Sequence, residues 1–395
     1  MIYYQPEPTR ILWLTENYFP NRGGMAQSCD RITYNLRKAG VVVDIFHFTN
    51  RRQALQPKAQ LGGQYTAVPK EHGQAHTLNR LWNHLSHPNM VEGYSHIVAF
   101  GGILPVLAGP YLYKLTDIPL ITLVRGNDFD VGIFEPKRKL ALKEAFEQSS
   151  GIAAVNSDKA WKIEKLFDVK AQFIPNSLVL EDWQPLPSDL EKARNWRTEQ
   201  VEPRRKVIGV FGDLKPKKGI HFLLSNLKKS KYAQSIHLLL VGNLEEQAAD
   251  ILAQEEIPYS SLPFLDRTEL LGYYPACDAI AIPSFYDGMP NILLEAAALE
   301  IPILASNVDG IKDFFEGIET KDCLTFHPED ELGLQQCLSR LMESTEQERR
   351  RWGSLARARV SRQFTPERES QSYLGLFAEA TRRYQQALPP TTTAE

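Results

Sequence analysis

The stretch Pro283-Ser284-Phe285-Tyr286-Asp287-Gly288-Met289-Pro290-Asn291-Ile292-Leu293-Leu294-Glu295-Ala296 places two carboxylates with seven residues between them. Proline is favoured at the first helical position, so Pro290 is read as the first residue of a helix. The backbone N–H groups around Gly288, Met289 and Asn291 would then be free for an anion at the positive end of that helix. Asp287 sits just ahead of the helix and Glu295 about one and a half turns inside it. One carboxylate can therefore meet a sugar while the other reaches a ribose. A carboxylate in an otherwise Leu- and Ala-rich helix is poorly explained as a solvated face.

Three further segments carry groups suited to the same ligand chemistry. Gly209-Val210-Phe211-Gly212-Asp213-Leu214-Lys215-Pro216-Lys217-Lys218-Gly219 runs from a strand through a lysine-rich turn into a helix. A lysine beside a helix start is a natural diphosphate partner, and Lys218 is the candidate. Lys215 and Lys217 read equally well as members of a solvated basic turn. Asn21-Arg22-Gly23-Gly24-Met25 follows the first strand and opens a helix, so Gly23 and Gly24 allow a close backbone approach to a ligand. A plain tight turn would use the same residues. In Val124-Arg125-Gly126-Asn127-Asp128-Phe129-Asp130, Arg125 and Asp128 follow a strand end. Arg125 suits a phosphate or a sugar hydroxyl, and Asp128 suits orienting a nucleophile or the arginine itself. A structural Arg–Asp pair with an Asx turn is the alternative. Neither half of the chain opens with the GxGxxG fingerprint of a dinucleotide-binding dehydrogenase.

These segments need strand ends and helix starts to hold them, and the sequence supplies both. Short apolar runs alternate with helix-period stretches, the pattern of βα units around a parallel sheet. In the first half the expected strands are Ile11–Thr15, Val41–Phe48, His96–Phe100, Leu120–Val124, Ile152–Val155 and Gln172–Ile174, with helices at Ala26–Lys38, Pro136–Gln148 and Asp158–Phe167. Arg51–His76 has weak periodicity and is read as irregular. After a Pro-, Glu- and Arg-rich break the rhythm restarts, with strands at Val207–Phe211, His237–Val241, Tyr259–Leu262, Ala279–Ile282, Ile303–Ala305 and Cys323–Phe326. Helices are expected near Gly219–Lys228, Glu245–Gln254, Arg267–Tyr274 and Pro290–Leu299. Pro328–Leu388 reads as wholly helical with a joint at Thr365-Pro366.

The resulting division is an N-terminal Rossmann-like domain over 1–180, a linker over 181–205 and a second Rossmann-like domain over 206–365. A helix over 366–388 and a loose tail over 389–395 complete the chain. Two doubly wound sheets joined by a linker put the expected ligand site in a cleft between facing domains.

Composition narrows the function classes. The chain has 395 residues, 43% hydrophobic and 24% charged, with a formal net charge of −3, which argues against nucleic-acid binding by bulk electrostatics. Residues 1–180 hold 20 Lys and Arg against 15 Asp and Glu, and the remainder 25 against 33. That basic first half leaves room for an anionic acceptor or a peripheral membrane contact. Cys29, Cys277, Cys323 and Cys337 show no CxxC spacing and read as buried free thiols in a reducing compartment. The opening residues lack the pattern of a secretory signal, so the expected location is cytoplasmic, with a peripheral place at the inner membrane face as the variant. Tyr94–Tyr113 lacks charge over 20 residues, but its glycines and prolines point to a strand, a turn and a helix rather than a membrane span.

Taken in this order and spacing, the four segments resemble the family-4 retaining glycosyltransferases of the GT-B fold. The resemblance covers nearly the whole chain. Its most specific part is the Asp287/Glu295 pair followed by Ile301-Pro302-Ile303 and Asp309-Gly310-Ile311. It implies that Asp287 contacts the donor sugar, Glu295 the ribose hydroxyls and Lys218 the diphosphate, with Gly23 and Gly24 closing over the phosphates. It also implies a final helix that crosses back to the first domain, and no metal or other cofactor. Partners would be a nucleotide sugar and a carbohydrate, lipid-linked or small-molecule acceptor. Three departures stand out: Asp213 falls where a basic residue is usual, Asp287 replaces a glutamate, and Arg125 stands where many members carry histidine. Arg125 or Lys217 are the candidates to offset Asp213. The rival readings are a catalytically degenerate sugar-nucleotide-binding protein and a GT-B sugar-nucleotide epimerase.

Overall fold

The computed structural model describes residues 9–21, 23–51, 55–212, 214–243, 248, 250–252 and 257–387. Arg22, Asp213, most of the expected 245–254 helix and the 389–395 tail lie outside the described residues. The chain divides into two compact units, one of residues 1–175 with 367–395, the other of 176–366.

The first unit is built on an eight-stranded sheet: β1 (Arg10–Thr15), β2 (Val42–Thr49), β3 (Lys58–Gln60), β4 (Gly63–Pro69), β5 (His96–Phe100), β6 (Leu120–Val124), β7 (Ser149–Ala154) and β8 (Gln172–Phe173). Strand order is β3-β4-β2-β1-β5-β6-β7-β8. All pairs are parallel except β3 with β4. Alternation along β1 explains the layering: Ile11 and Trp13 enter one core, Leu12 and Leu14 the other. The first core is covered by α1 (Gly24–Lys38) and by the terminal helix Pro366–Ala387. The opposite face carries α2 (Gln74–Leu85), α3 (Ile103–Thr116), α5 (Pro136–Gln148) and α6 (Ser157–Phe167), while a single turn, α4 (Asn127–Asp130), follows β6.

The expectation that Arg51–His76 is irregular is corrected by the fold. Among its described residues, β3 and β4 form a hairpin through Leu61 and Gly62, and β4 joins β2 in parallel. A strand whose partners are supplied by tertiary pairing needs little periodicity of its own.

The second unit holds β9 (Lys206–Phe211), β10 (Ile236–Val241), β11 (Tyr259–Leu262), β12 (Ala279–Ile282), β13 (Ile303–Ser306) and β14 (Leu324–Phe326), all parallel. Their order β11-β10-β9-β12-β13-β14 is the 3-2-1-4-5-6 order of a Rossmann sheet. In α8 (Ile220–Lys229) the buried Ile220, Leu223, Leu224 and Leu227 recur at helical spacing and pack on Ile208, Val210 and Leu238. Cutting one of these leucines back to alanine costs about 2–5 kcal/mol.

Two expectations about helices shift. The stretch read as a linker contains a helix, α7 (Pro187–Gln200), whose Arg197 reaches Asp278 at 2.8 Å and the carbonyl of Ala276 at 2.6 Å. The C-terminal region breaks twice, giving helices Glu331–Glu343, Glu346–Gln363 and Pro366–Ala387. The first break is a capping box, in which Thr345 and Glu348 satisfy each other's backbone N–H groups. No described helix is long and apolar enough to cross a membrane.

Candidate functional site

Each sheet reverses its strand order beside its first strand, and ligands of α/β sheets bind at such points, beyond the strand ends. In the second unit the reversal lies between β9 and β12. The turn after β9 begins at Gly212, with φ of 106°, and ends in a short turn of helix, Pro216–Lys218. The segment after β12 packs directly on it. Phe285 donates its N–H to the carbonyl of Lys217 at 2.9 Å. Gly219 lies so close that a Cβ there would stand 1.9 Å from the Pro283 carbonyl oxygen, and its φ of 67° also favours glycine. Lys218 is thereby carried to Asp287, with which it forms an ion pair. The sequence reading gave these two side chains separate tasks, and the fold brings them together.

Asp287 is fixed from behind, since its N–H donates to Asp309 at 2.9 Å. The helix that follows is Asn291–Ala298, with Pro290 as its cap, one residue earlier than its expected place as the first helical residue. Asn176 ties this entry down, donating to the carbonyl of Met289 at 2.7 Å and to the Asn291 side chain at 3.1 Å. Gly288, Met289 and Pro290 are buried, whereas Asn291 is half-buried.

Glu295 is half-buried and accepts a hydrogen bond from the hydroxyl of Tyr274 at 2.7 Å. Tyr274 is fully buried, edge-on to Phe211 at 4.6 Å and to Trp183 at 5.7 Å. Burial pushes the Glu295 carboxyl up to about 7, with the tyrosine hydrogen bond opposing the shift. The second unit thus holds two carboxylates in different settings: Asp287 is paired with a lysine, and Glu295, raised to about 7 by burial, lies against a buried tyrosine hydroxyl.

The reversal in the first unit lies between β1 and β5. Gly23 caps α1 with φ of 106°, Gly24 starts the helix, and both are exposed. Glu16, just past β1, accepts the N–H of Ile103 at 2.9 Å. A cavity of about 240 Å³ opens there, with Glu16, Asn17, Asn127, Asp128 and Arg138 as its polar lining and Met25 among its apolar wall.

Asp128 and Arg125 occupy different places in this unit. The Asp128 carboxylate reaches back to accept the N–H groups of Arg125 at 3.0 Å and Gly126 at 2.5 Å, closing the loop after β6 in the manner of a capping-box acid rather than of an Asx turn. The Arg125 guanidinium turns inward. It is only 5% exposed and donates to the Ile174 carbonyl at 3.2 Å and the Tyr373 hydroxyl at 3.1 Å. α4 is itself anchored, because the fully buried Lys159 reaches Asp130 at 2.7 Å. Burial raises the Asp130 carboxyl, and Lys159 works against that.

Sequence reasoning missed Tyr274, Asn176 and Glu16 as site residues. A tyrosine 21 positions before its carboxylate, or an asparagine 113 before its carbonyl, leaves no spacing to read. Asp309 was visible only as part of the pattern that carried the resemblance. Among the described residues no three His, Cys, Asp or Glu side chains gather as a metal site.

Residues 205–344 match the family of glycosyl transferases group 1. A teichuronic acid biosynthesis glycosyltransferase, TuaC, of Bacillus subtilis is 27% identical over 210 residues, which cover 53% of this chain and 52% of that protein. The chain thus spans about half the length of that relative. A D-inositol 3-phosphate glycosyltransferase of Corynebacterium jeikeium is 24% identical over 330 residues, covering 75% of this chain and 78% of that one. Among solved structures, Anabaena Alr3699/HepE in complex with UDP-glucose superposes with a TM-score of 0.74 at 18% identity, over 93% of this chain and 99% of that one. Residues 205–344 are therefore a glycosyl transferases group 1 domain, on a chain whose two parallel-sheet α/β domains have the GT-B fold.

Proposed function

We propose that the chain is a glycosyltransferase that moves a sugar from a nucleotide diphosphate sugar to an acceptor hydroxyl, with retention of anomeric configuration and without a metal ion. The observation that carries this reading is the Lys218–Asp287 pair at the strand-order reversal of the second unit, beside the entry to helix Asn291–Ala298. A diphosphate entering there competes with Asp287 for the lysine, and helix N–H groups supply further donors. Asp287, released from the lysine, would face the donor sugar, while Glu295 reads the ribose hydroxyls. In the reaction the bond from the anomeric carbon to the diphosphate oxygen breaks and a bond to the acceptor oxygen forms. The acceptor proton passes to the released diphosphate, whose charge Lys218 offsets. In the first unit, Gly23 and Gly24 close over the phosphates and Asp128 serves the acceptor side, where a carbohydrate, a lipid-linked sugar or a small polyol would bind.

HepE has been solved with UDP-glucose and Arabidopsis starch synthase IV with ADP and acarbose, which makes uridine and adenine nucleotides the first donors to test. Thermal shift with UDP-, ADP- and GDP-sugars is the test. A true donor raises the melting temperature by mass action, and slow release of free sugar follows from transfer to water. If no nucleotide sugar shifts the melt, the reading fails. The second reading, a protein that binds a sugar nucleotide without turning it over, draws on the lysine being already neutralised by Asp287. Stabilisation by a donor, with no hydrolysis and no transfer to any acceptor, would favour it.

A further inference from the structure

The helical layer on one face of the first unit has an outer surface that its core does not explain. Phe134, two residues ahead of the start of α5, is 80% exposed, and Leu140 on α5 is 68% exposed. Next to α5 lies α3, joined to it by Lys114 and Glu144 at 3.2 Å, and its outward ridge carries the exposed Tyr111 and Leu115. Tyr111 in turn meets the exposed Trp82 of α2 at 6.4 Å. Apolar and aromatic groups therefore run across three adjacent helices on a surface that faces water. Exposed apolar and aromatic groups gathered on neighbouring helices in this way point to an interaction site.

The charge around the apolar groups selects the partner. From 134 to 143 the basic residues are Lys137, Arg138, Lys139 and Lys143, against Glu135 alone. Leu140 lies one turn from both Lys137 and Lys143, so apolar and basic groups share one face of the helix. Further along, the acids return: Glu144 binds Lys114, and Glu147 faces Lys143 at 3.7 Å. Glu135 is taken by Arg138 at 3.1 Å, which leaves Lys137 and Lys139 without an acidic partner among the described residues. We infer that this face docks on an anionic lipid surface. Phe134 and Leu140 enter the headgroup boundary, Trp82 and Tyr111 lie at its level, and Lys137 and Lys139 meet lipid phosphates. A soluble protein partner would be expected to bring a shaped complement to the groove between helices, whereas prominent side chains ringed by lysine suit a deformable surface. Arg138 and Leu142 of the same helix line the first-unit cavity, so docking would bring the wall of that cavity to the lipid. The inference stands whether or not the chain transfers sugar.

The test is sedimentation of the full chain with vesicles of phosphatidylcholine containing one third phosphatidylglycerol, beside vesicles of phosphatidylcholine alone. Binding to the anionic vesicles should exceed binding to the neutral ones by about tenfold or more and should weaken with salt. Lys137→Gln or Lys139→Gln should each lower it about fivefold, from the loss of one basic charge near the surface. Phe134→Asp with Leu140→Asp should abolish it, while the melting temperature stays unchanged because both side chains are already in water. Equal partition to both vesicle types, no binding to either, or binding untouched by the double substitution would overturn the inference. So would a dimer that the same double substitution splits, which would make the face a contact between copies of this chain.

Discussion

Both domains reverse strand order beside their first strand, and both carry a glycine with φ of 106° in the turn that follows it, Gly23 in one and Gly212 in the other. The side chains described on those turns differ. In the second domain the turn delivers Lys215, Lys217 and Lys218. In the first the turn's sequence has no lysine, and its one cation, Arg22, lies outside the described residues; Glu16 there accepts the N–H of Ile103, and Asp128 closes its own loop after β6. The same topology therefore presents a lysine paired with an aspartate in one domain and carboxylates fixed by backbone N–H groups in the other. Fold explains where a ligand goes, and the side chains explain which one.

The contrast is open to attack from either side. The largest effect is expected from Lys218→Ala, which should weaken nucleoside diphosphate binding by about tenfold to a hundredfold, the range for a lost charge-assisted contact. Titration calorimetry with UDP or ADP would read it, and unchanged affinity would remove the second domain's claim to the phosphate. If the carboxylate meets the ribose hydroxyls as proposed, Glu295→Ala should cost about tenfold in affinity for the nucleoside diphosphate and much less for inorganic diphosphate.

Acidity offers a finer probe. Ribose donors favour the charged form of Glu295, whose carboxyl lies near 7 in the free protein. Nucleotide binding should therefore weaken as pH falls below 7 and release protons there, and Glu295→Gln should flatten that dependence. The same shift bears on folding. An acid whose folded value is raised binds more protons when folded, so its penalty is absent below its ordinary value of 4.5, grows as pH rises toward 7, and is level above it. Melting temperatures followed across that window should fall in the native chain more than in Glu295→Gln. At the first domain, Asp128→Ala should lower stability by about 1–2 kcal/mol and leave UDP affinity within about twofold, since its visible bonds close a loop. If nucleotide affinity fell with it as far as with Lys218→Ala, the division of labour would be wrong.

Much of this organisation could be read from the sequence, for a physical reason. Parallel strands buried on both faces are nearly continuous apolar runs, so His96–Phe100, Leu120–Val124 and Ala279–Ile282 stand out with their observed ends. Pro136 set the start of α5 and the Thr365-Pro366 step the start of the terminal helix. What escaped was set by tertiary contact. The β3–β4 hairpin takes its structure from pairing with β2, and α7 is held through Arg197 by Asp278 in a distant turn. In the candidate site the lysine turn and the two acids were legible from type and spacing. Their coupling was not: Lys218 meets Asp287 because β9 and β12 lie side by side, and Glu295 meets Tyr274 because the helix after β12 comes back beside the turn before it.

The terminal helix gives the molecule an uneven divisibility. Its Glu369 is 3% exposed and accepts from Arg31 and Asn35 of α1, its Tyr373 holds Arg125, and Phe377 packs in the core beneath β1 and β5. Residues 176–366 are consecutive and could be cut out as one piece. The first unit is not consecutive: a product ending at residue 175 would lack the helix that shares with α1 the cover of one side of its sheet. That unit is completed only after the second has been made, so a stop codon anywhere from 176 to 366 would injure a part of the protein synthesised before it.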